Sequence, residues 1–216
     1  MKVAPEGIPF IAIGLAMLFA LVAVAQVAGG GWWYAAPAAW TPVAVWVPLF
    51  FRNPARRGPR GDRLIIAPAD GLVVSVATVD ESDFIGGPAV RVSVFMNVFN
   101  VHVNRAPVSG TAAYRQYRPG AFLNASLDKA SERNEQMSLG IEAGGRRVLL
   151  RQIAGLIARR IVTDPRQGDP VRQGERVGLI RFGSRVDTFF PPTATARVTV
   201  GERTRAGMTV IAEWAE

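Results

Sequence analysis

The sequence predicts a mainly β protein: a β-sandwich or barrel-like domain with short helices, preceded by an N-terminal membrane hairpin. Three observations carry that expectation. Residues 8–28 (IPFIAIGLAMLFALVAVAQVA) hold one strongly polar side chain, Gln26, over a length that crosses the roughly 30 Å hydrocarbon layer as a helix. From Leu64 onward, short runs rich in Val, Ile and Thr alternate with Gly, Pro and Asp turns, the pattern of successive strands. The 216 residues suffice for one β-rich core plus a membrane element, and two further domains would be a squeeze.

Taken in order, the second apolar run, 32–51 (WWYAAPAAWTPVAVWVPLFF), follows a Gly-Gly-Gly turn. Its prolines weaken a regular helix, whereas Trp32, Trp33, Tyr34, Trp40 and Trp46 suit a membrane interface. The reading is a helical hairpin, or a helix followed by a re-entrant segment. Next comes RNPARRGPRGDR, with Arg52, Arg56, Arg57, Arg60 and Arg63 against Asp62. The positive-inside rule places it in the cytoplasm, where each cation near the surface gains about 1 kcal/mol from anionic lipid. A cleaved signal peptide, with AVAQ at 23–26 as its site, accounts for the first run and leaves the second unexplained. The expected division is therefore 1–58 as a membrane-anchoring hairpin with its basic segment. Residues 59–216 form a β-rich domain on the cytoplasmic face of the cell (inner) membrane.

In the soluble part, strands are expected in LIIAPADGLVVSVATVD, AVRVSVFMNVFNVHVNR, GTAAYRQYRPG, RRVLLRQIAG, RRIVTD, RVGLIRFGSRVDTFF, ARVTVG and MTVIAEW. Residues 124–142 are the least strand-like, with a loop or short helix at 128–136, and 155–161 suit a helical turn. Turns near the C-terminus resemble those of small hammerhead β-domains.

Composition closes off several chemistries. The absence of cysteine excludes disulfides, thiolate metal sites and a cysteine nucleophile. A single histidine, His102, argues against zinc, so no metal is expected, and all imidazole chemistry must run through it. A net charge of +8 suits a polyanion, and the hairpin favours an anionic membrane over nucleic acid.

Three polar side chains stand at strand ends. Asp70 in APADG reads blandly as an Asp-Gly turn, His102 in VFNVHVNRAP as a structural histidine, and Ser184 in RFGSRVDTFF as a serine on a bulged strand. Together they supply a carboxylate, an imidazole and a hydroxyl, in which the imidazole takes the serine proton and the carboxylate fixes its tautomer. Glycine inside a strand pattern marks a bulge, a close backbone approach or a strained bond, which singles out Gly183-Ser184.

Four motifs, APADG, NVFNVHVNRAPVSG, YRPGAFLNA followed by ERNE, and RFGSRVD, resemble in order and spacing those of the phosphatidylserine decarboxylase family, in its short, membrane-associated bacterial form. The resemblance covers roughly residues 60–190. It implies a proenzyme that cleaves itself between Gly183 and Ser184. The Ser184 hydroxyl attacks the Gly183 carbonyl to give an ester, elimination across Cα–Cβ splits it, and loss of ammonia leaves a pyruvoyl group. The implied products are a β-chain, 1–183, and an α-chain, 184–216, held together as a heterodimer, with a higher homo-oligomer left open. The implied activity is decarboxylation of phosphatidylserine to phosphatidylethanolamine, the pyruvoyl taking the substrate amine as a Schiff base and acting as electron sink. His102 is then the base and proton donor, Asp70 orients it, and Arg105, Arg115 and Arg118 are candidates for the phosphodiester.

One position departs from the family pattern. Many members carry two histidines three residues apart, and here Arg105 occupies the second place, the one usually assigned to self-cleavage. Either His102 serves both steps or self-cleavage relies on another arrangement. FGSR likewise replaces the LGST of other members, as in the short form. Two other classes compete: a membrane-anchored serine hydrolase using Asp70, His102 and Ser184, which lacks a G-x-S-x-G elbow here, and a non-enzymatic biotinyl- or lipoyl-like adaptor, suggested by the hammerhead-like C-terminal turns, whose modifiable lysine has no well-placed counterpart in Lys2 or Lys129.

Overall fold

A computed structural model describes residues 2–123, 125, 133–155, 160–181 and 183–215, and the chain falls into two units, 1–55 and 56–216. In the first unit, strand β1 (Lys2–Val3) pairs antiparallel with β2 (Arg52–Asn53). Between them run α1 (Ile8–Ala28) and α2 (Ala35–Phe50). Gly29 and Gly30, at φ of 65° and 94°, turn the chain where a side chain would be strained. The Trp40 indole N–H donates to the Gly14 carbonyl at 2.9 Å, pinning one helix to the other. Residues 5–28 are long and apolar enough to cross a membrane. The run expected to complete a hairpin yields only the 16 residues of α2, about 24 Å of helix, with Pro42 and Pro48 inside.

The second unit begins with β3 (Leu64–Ile66), β4 (Gly71–Glu81), β5 (Gly87–Met96), β6 (Val103–Arg105) and β7 (Gly110–Arg118). It continues with β8 (Gln136–Ala143), β9 (Arg146–Ala154), β10 (Ile161–Thr163), β11 (Pro170–Val171) and β12 (Arg176–Ile180). The last strands are β13 (Ser184–Phe190), β14 (Ala194–Ala196), β15 (Arg203–Thr204) and β16 (Val210–Trp214). Eight of them form an antiparallel sheet, ordered β11-β7-β8-β9-β13-β5-β4-β15, that curls into a half-barrel. Register shifts at Val73/Ser75 and Ala112/Tyr114 bend it, as bulges do. Two three-stranded sheets, β10-β12-β6 and β14-β16-β3, complete the unit. Most of the expected strands are present, but ARVTVG is a strand only at Ala196, the end of β14. The stretch expected to be least strand-like, 124–142, carries β8, because its residues from Gln136 onward pair with both β7 and β9. The loop or helix expected at 128–136 falls largely outside the described residues, as does most of the turn expected at 155–161.

Alternation along the central strands builds the core. Val92, Val94 and Met96 of β5, Leu139 and Ile141 of β8, Val148 and Leu150 of β9 and Val186 and Phe190 of β13 share one buried cluster. Each such side chain contributes about 1.5–3 kcal/mol when fully removed from water. On the other face, Leu149 and Phe189 pack with Phe84 and Ala89.

Strand β13 is therefore buried on both faces, and its charges are buried with it. Arg185 and Asp187 are fully inaccessible. Arg185 Nε donates to Asp187 Oδ1 at 2.6 Å, and its Nη2 donates to Ser93 Oγ at 2.7 Å. Removing one partner of a buried pair strands the other charge, at a cost of about 3–5 kcal/mol. Asp187→Ala is expected to lower stability by that amount in denaturant titration, and a loss below about 1 kcal/mol would show that the pair carries no net load.

The segment after Gly183 is short but central. It supplies β13 in the middle of the large sheet, β15 at its edge, and β16 between β14 and β3.

Candidate active site

Ser184 is the first residue of β13 and lies between Met96 of β5 and Ala154 of β9. It is fully buried, and its Oγ has no hydrogen-bond partner among the described residues. A buried, unsatisfied hydroxyl costs about 1–3 kcal/mol, so the fold maintains this one at a penalty.

Just before it, Gly183 adopts φ of 66°, a left-handed conformation that β-carbon sterics disfavour. Its carbonyl oxygen lies against Gly155, where an added β-carbon would sit 2.2 Å from that oxygen. No residue with a side chain fits at 155 unless the carbonyl moves. Gly155→Ala is thus expected to leave a folded chain that fails to process at Gly183-Ser184. Mass analysis of the denatured protein checks this, and normal cleavage would show that the contact does not position the carbonyl.

His102, fully buried, stands on the amide side of the same residue: the Gly183 N–H donates to its Nε2 at 3.4 Å, a long hydrogen bond. Its Nδ1 lies 3.0 Å from the Asn100 carbonyl oxygen, which can only accept, so Nδ1 carries the proton and Nε2 offers its lone pair. The loop before it is braced by its own side chains. Asn97 N–H donates to Asn100 Oδ1 and Phe99 N–H to Asn97 Oδ1, both at 2.9 Å.

Asp70 has other company. Arg56 Nη2 donates to its Oδ2 at 2.6 Å and the Ala206 N–H to its Oδ1 at 2.7 Å. The tautomer-fixing role expected of this carboxylate is filled at Nδ1 by the Asn100 carbonyl. Asp70 instead serves an arginine cluster that includes Arg105, which is 8% exposed and donates to the Gly174 carbonyl at 2.9 Å. Burial, and then the neighbouring Arg56, pull the Arg105 guanidinium below its ordinary value, while Asp70 acts the other way. Arg115 and Arg118 are exposed on β7, and Arg118 reaches Asp83 at 3.4 Å.

Sequence reasoning missed several residues around Ser184. Asn134, in the quoted ERNE, donates through Nδ2 to the carbonyls of Ala154 and Leu123, at 2.7 and 2.8 Å, and so ties residues 121–123 to the end of β9 beside Ser184. Behind His102, Gln152 donates to Asn104 Oδ1 at 2.8 Å and accepts from Thr163 Oγ1 at 2.6 Å, linking β9, β6 and β10. Only motif membership pointed to Asn134, and Gln152 carried no signal. A cleft lined by Asp62, Ser109 and Arg146 lies at the other end of β9, about 26 Å from Ala154 by strand rise, and plays no part in this site.

A β half-barrel presenting a half-buried glycine joined to a buried serine, with the serine hydroxyl unpaired among the described residues and an imidazole on the glycine amide, has the make-up of a proenzyme that matures at its own backbone. The chain belongs to the phosphatidylserine decarboxylase family, whose defining pattern matches residues 43–212. It is 47% identical over 207 residues to a phosphatidylserine decarboxylase proenzyme of Syntrophus aciditrophicus, covering 95% of this chain and 94% of that protein. A proenzyme of the same name from Xanthobacter autotrophicus is 47% identical over 211 residues, 96% of this chain and 87% of the relative. One from Burkholderia mallei is 46% identical over 215 residues, 99% and 96% of the two chains.

Proposed function

We propose that this chain is a proenzyme that cleaves itself at Gly183-Ser184, converts Ser184 to a pyruvoyl group, and decarboxylates phosphatidylserine to phosphatidylethanolamine and CO2. The observation that carries the reading is the Gly183-Ser184 peptide itself, with Gly183 half-buried at a positive φ, Ser184 fully buried with its hydroxyl unpaired among the described residues, and Gly155 against the Gly183 carbonyl. The same features fit the prosthetic group: Ser184 supplies its carbon atoms, and β13 holds it between β5 and β9.

In maturation, Ser184 Oγ attacks the Gly183 carbonyl carbon and its proton passes to a base. His102 Nε2, the unprotonated nitrogen of the ring, lies 3.4 Å from the Gly183 amide and is the candidate base. The bond from Gly183 C to Ser184 N breaks as the ester forms, elimination releases the Gly183 carboxylate, and water then adds to the enamine left at position 184, whose nitrogen departs as ammonia. The resulting chains, 1–183 and 184–216, stay joined through the ladders of β13, β15 and β16.

When formed, the pyruvoyl carbonyl supplies a sink for the electron pair freed as the substrate carboxylate leaves. The chain's own groups do the rest. His102 Nε2 holds the proton returned to the product carbon, with Nδ1 fixed by the Asn100 carbonyl. Asp70 steadies Arg56 beside Arg105, which with the exposed Arg115 and Arg118 is a candidate for the phosphodiester. Residues 8–28 anchor the chain, α2 returns beside α1 as the second arm of a hairpin, and the arginines after it keep the second unit on the cytoplasmic side of the inner membrane.

Intact mass under denaturing conditions tests the reading. Two species divided at 183/184, the smaller lighter than its serine form by one ammonia, are expected. A single full-length mass from active protein would overturn it.

A further inference from the structure

The large apolar side chains that stay exposed in the second unit are not scattered. Among the described residues from 56 onward they are Leu72, Phe99, Tyr117, Phe122 and Val200. Register places every one at the strand ends that surround Ser184. Leu72 pairs with Phe95, which pairs with Arg185. Val200 sits beside Val73, to which the neighbouring Gly201 N–H donates. Tyr117 lies one residue from the Arg118↔Gln136 pair, and Gln136 opposes Ile153 next to Ala154. Phe99 is on the loop between Met96, the partner of Ser184, and His102. Phe122 is in the segment that Asn134 ties to Ala154. The other end of the large sheet, at the turns after Glu81 and Ala143, has no exposed large apolar side chain among the described residues.

Phe99 is the extreme case, 71% exposed although three residues from a fully buried histidine. Its loop is held by the two asparagine turns described above, so the ring is presented by a braced tip rather than left on a loose one. Residues 97–101 (NVFNV) and 119–123 (PGAFL) contain no charge. Around them stand the exposed arginines Arg133 and Arg203, with Arg118 paired to Asp83 and the carboxylates of Glu135 and Glu202 also near these strand ends. Apolar and aromatic tips on a chain of net charge +8 have the composition of a surface that dips into a bilayer of anionic lipid. An exposed apolar set gathered on one side of a domain marks an interaction surface, and the net positive charge favours an anionic partner over a second copy of the same basic chain.

We propose that this rim, led by Phe99 and Phe122, is a membrane-docking surface of the catalytic unit, separate from α1, that seats the Ser184 end of the half-barrel in the headgroup region of an anionic bilayer. The inference rests on the lipid substrate of the preceding section. A substrate whose acyl chains stay in the bilayer reaches a buried site only if the mouth of that site meets the bilayer. The rim then shields the acyl chains as the headgroup enters.

The chain has no cysteine, so single thiols can be placed without background. Full-length Phe99→Cys, Phe122→Cys and, on β7 six residues from Tyr117, the exposed Thr111→Cys would be labelled with bimane. Each would be reconstituted in phosphatidylcholine/phosphatidylglycerol vesicles carrying nitroxide on the lipid tails. Quenching at 99 and 122 but not at 111 is expected. Equal, weak quenching at all three positions would overturn the proposal, and so would bimane changes that follow protein concentration without lipid, which would make the rim a contact between copies. The kinetic arm uses Phe99→Ser/Phe122→Ser. KM for long-chain phosphatidylserine in vesicles is expected to rise on the order of tenfold, from the loss of two buried rings, with kcat retained and turnover of monomeric dihexanoyl phosphatidylserine unchanged. Equal loss on both substrates would place the rings in the chemistry and sink the docking role. The intact mass of every variant is read first, so failed maturation is told apart from failed docking.

Discussion

Ser184→Ala is expected to run as one uncleaved 216-residue chain with no decarboxylase activity. Only one atom is lost, and it is the atom that must attack the Gly183 carbonyl and later become part of the prosthetic group. The fold should not suffer. Ser184 lies in a fully buried strand paired on both sides, and its Oγ has no partner among the described residues, so alanine keeps the ladder and removes an unsatisfied polar group. Stability is therefore expected to rise by about 1 kcal/mol relative to the wild-type chain before it is cleaved, measured by denaturant titration. Cleavage of the alanine variant at 183/184, or turnover by it, would refute the pyruvoyl assignment. A large fall in stability would mean instead that the serine hydroxyl is bonded in the folded proenzyme.

Much of this arrangement was legible beforehand, because it depends on local rules. Strand positions followed from β-branched periodicity and turn residues, and Gly183 stood out because glycine within a strand run requires a reason. What stayed hidden depends on register or on backbone atoms. Gly155 looks like an ordinary turn glycine in RQIAG, and its role emerges only when β9 and β13 are aligned so that its Cα faces the Gly183 carbonyl. The partner of Nδ1 in His102 is a main-chain oxygen, which no side-chain pattern announces. Asp70 was matched to His102 by analogy of residue types, yet the nearest strong cation, Arg56, lies 14 residues earlier in a stretch that read as juxtamembrane charge. Arg185 and Asp187, at i and i+2, share one face of β13 and carry charge, a pattern that by itself does not announce burial. They are buried because the face opposite the core is itself covered by Phe84 and its neighbours.

His102→Gln separates the two steps that the single histidine was asked to share. Glutamine can meet the Gly183 N–H or the Asn100 carbonyl, but it offers no basic nitrogen, and loss of a positioned general acid-base typically costs about 10²- to 10⁴-fold. Decarboxylation per mature chain is expected to fall by that factor, and retained turnover would remove His102 from the site. Maturation is read separately, as the fraction of chain cleaved over time. An uncleaved His102→Gln chain would assign proton transfer in both reactions to Nε2. A cleaved but inactive chain would confine His102 to decarboxylation and leave the Arg56, Asp70 and Arg105 cluster to assist self-cleavage. In that cluster, burial and Arg56 draw the Arg105 guanidinium below its ordinary value and Asp70 limits the descent. Under that second outcome, Asp70→Asn in the wild-type background should slow cleavage while leaving decarboxylation by the fraction that matures close to wild type. Unchanged cleavage in Asp70→Asn would remove that carboxylate from self-cleavage as well.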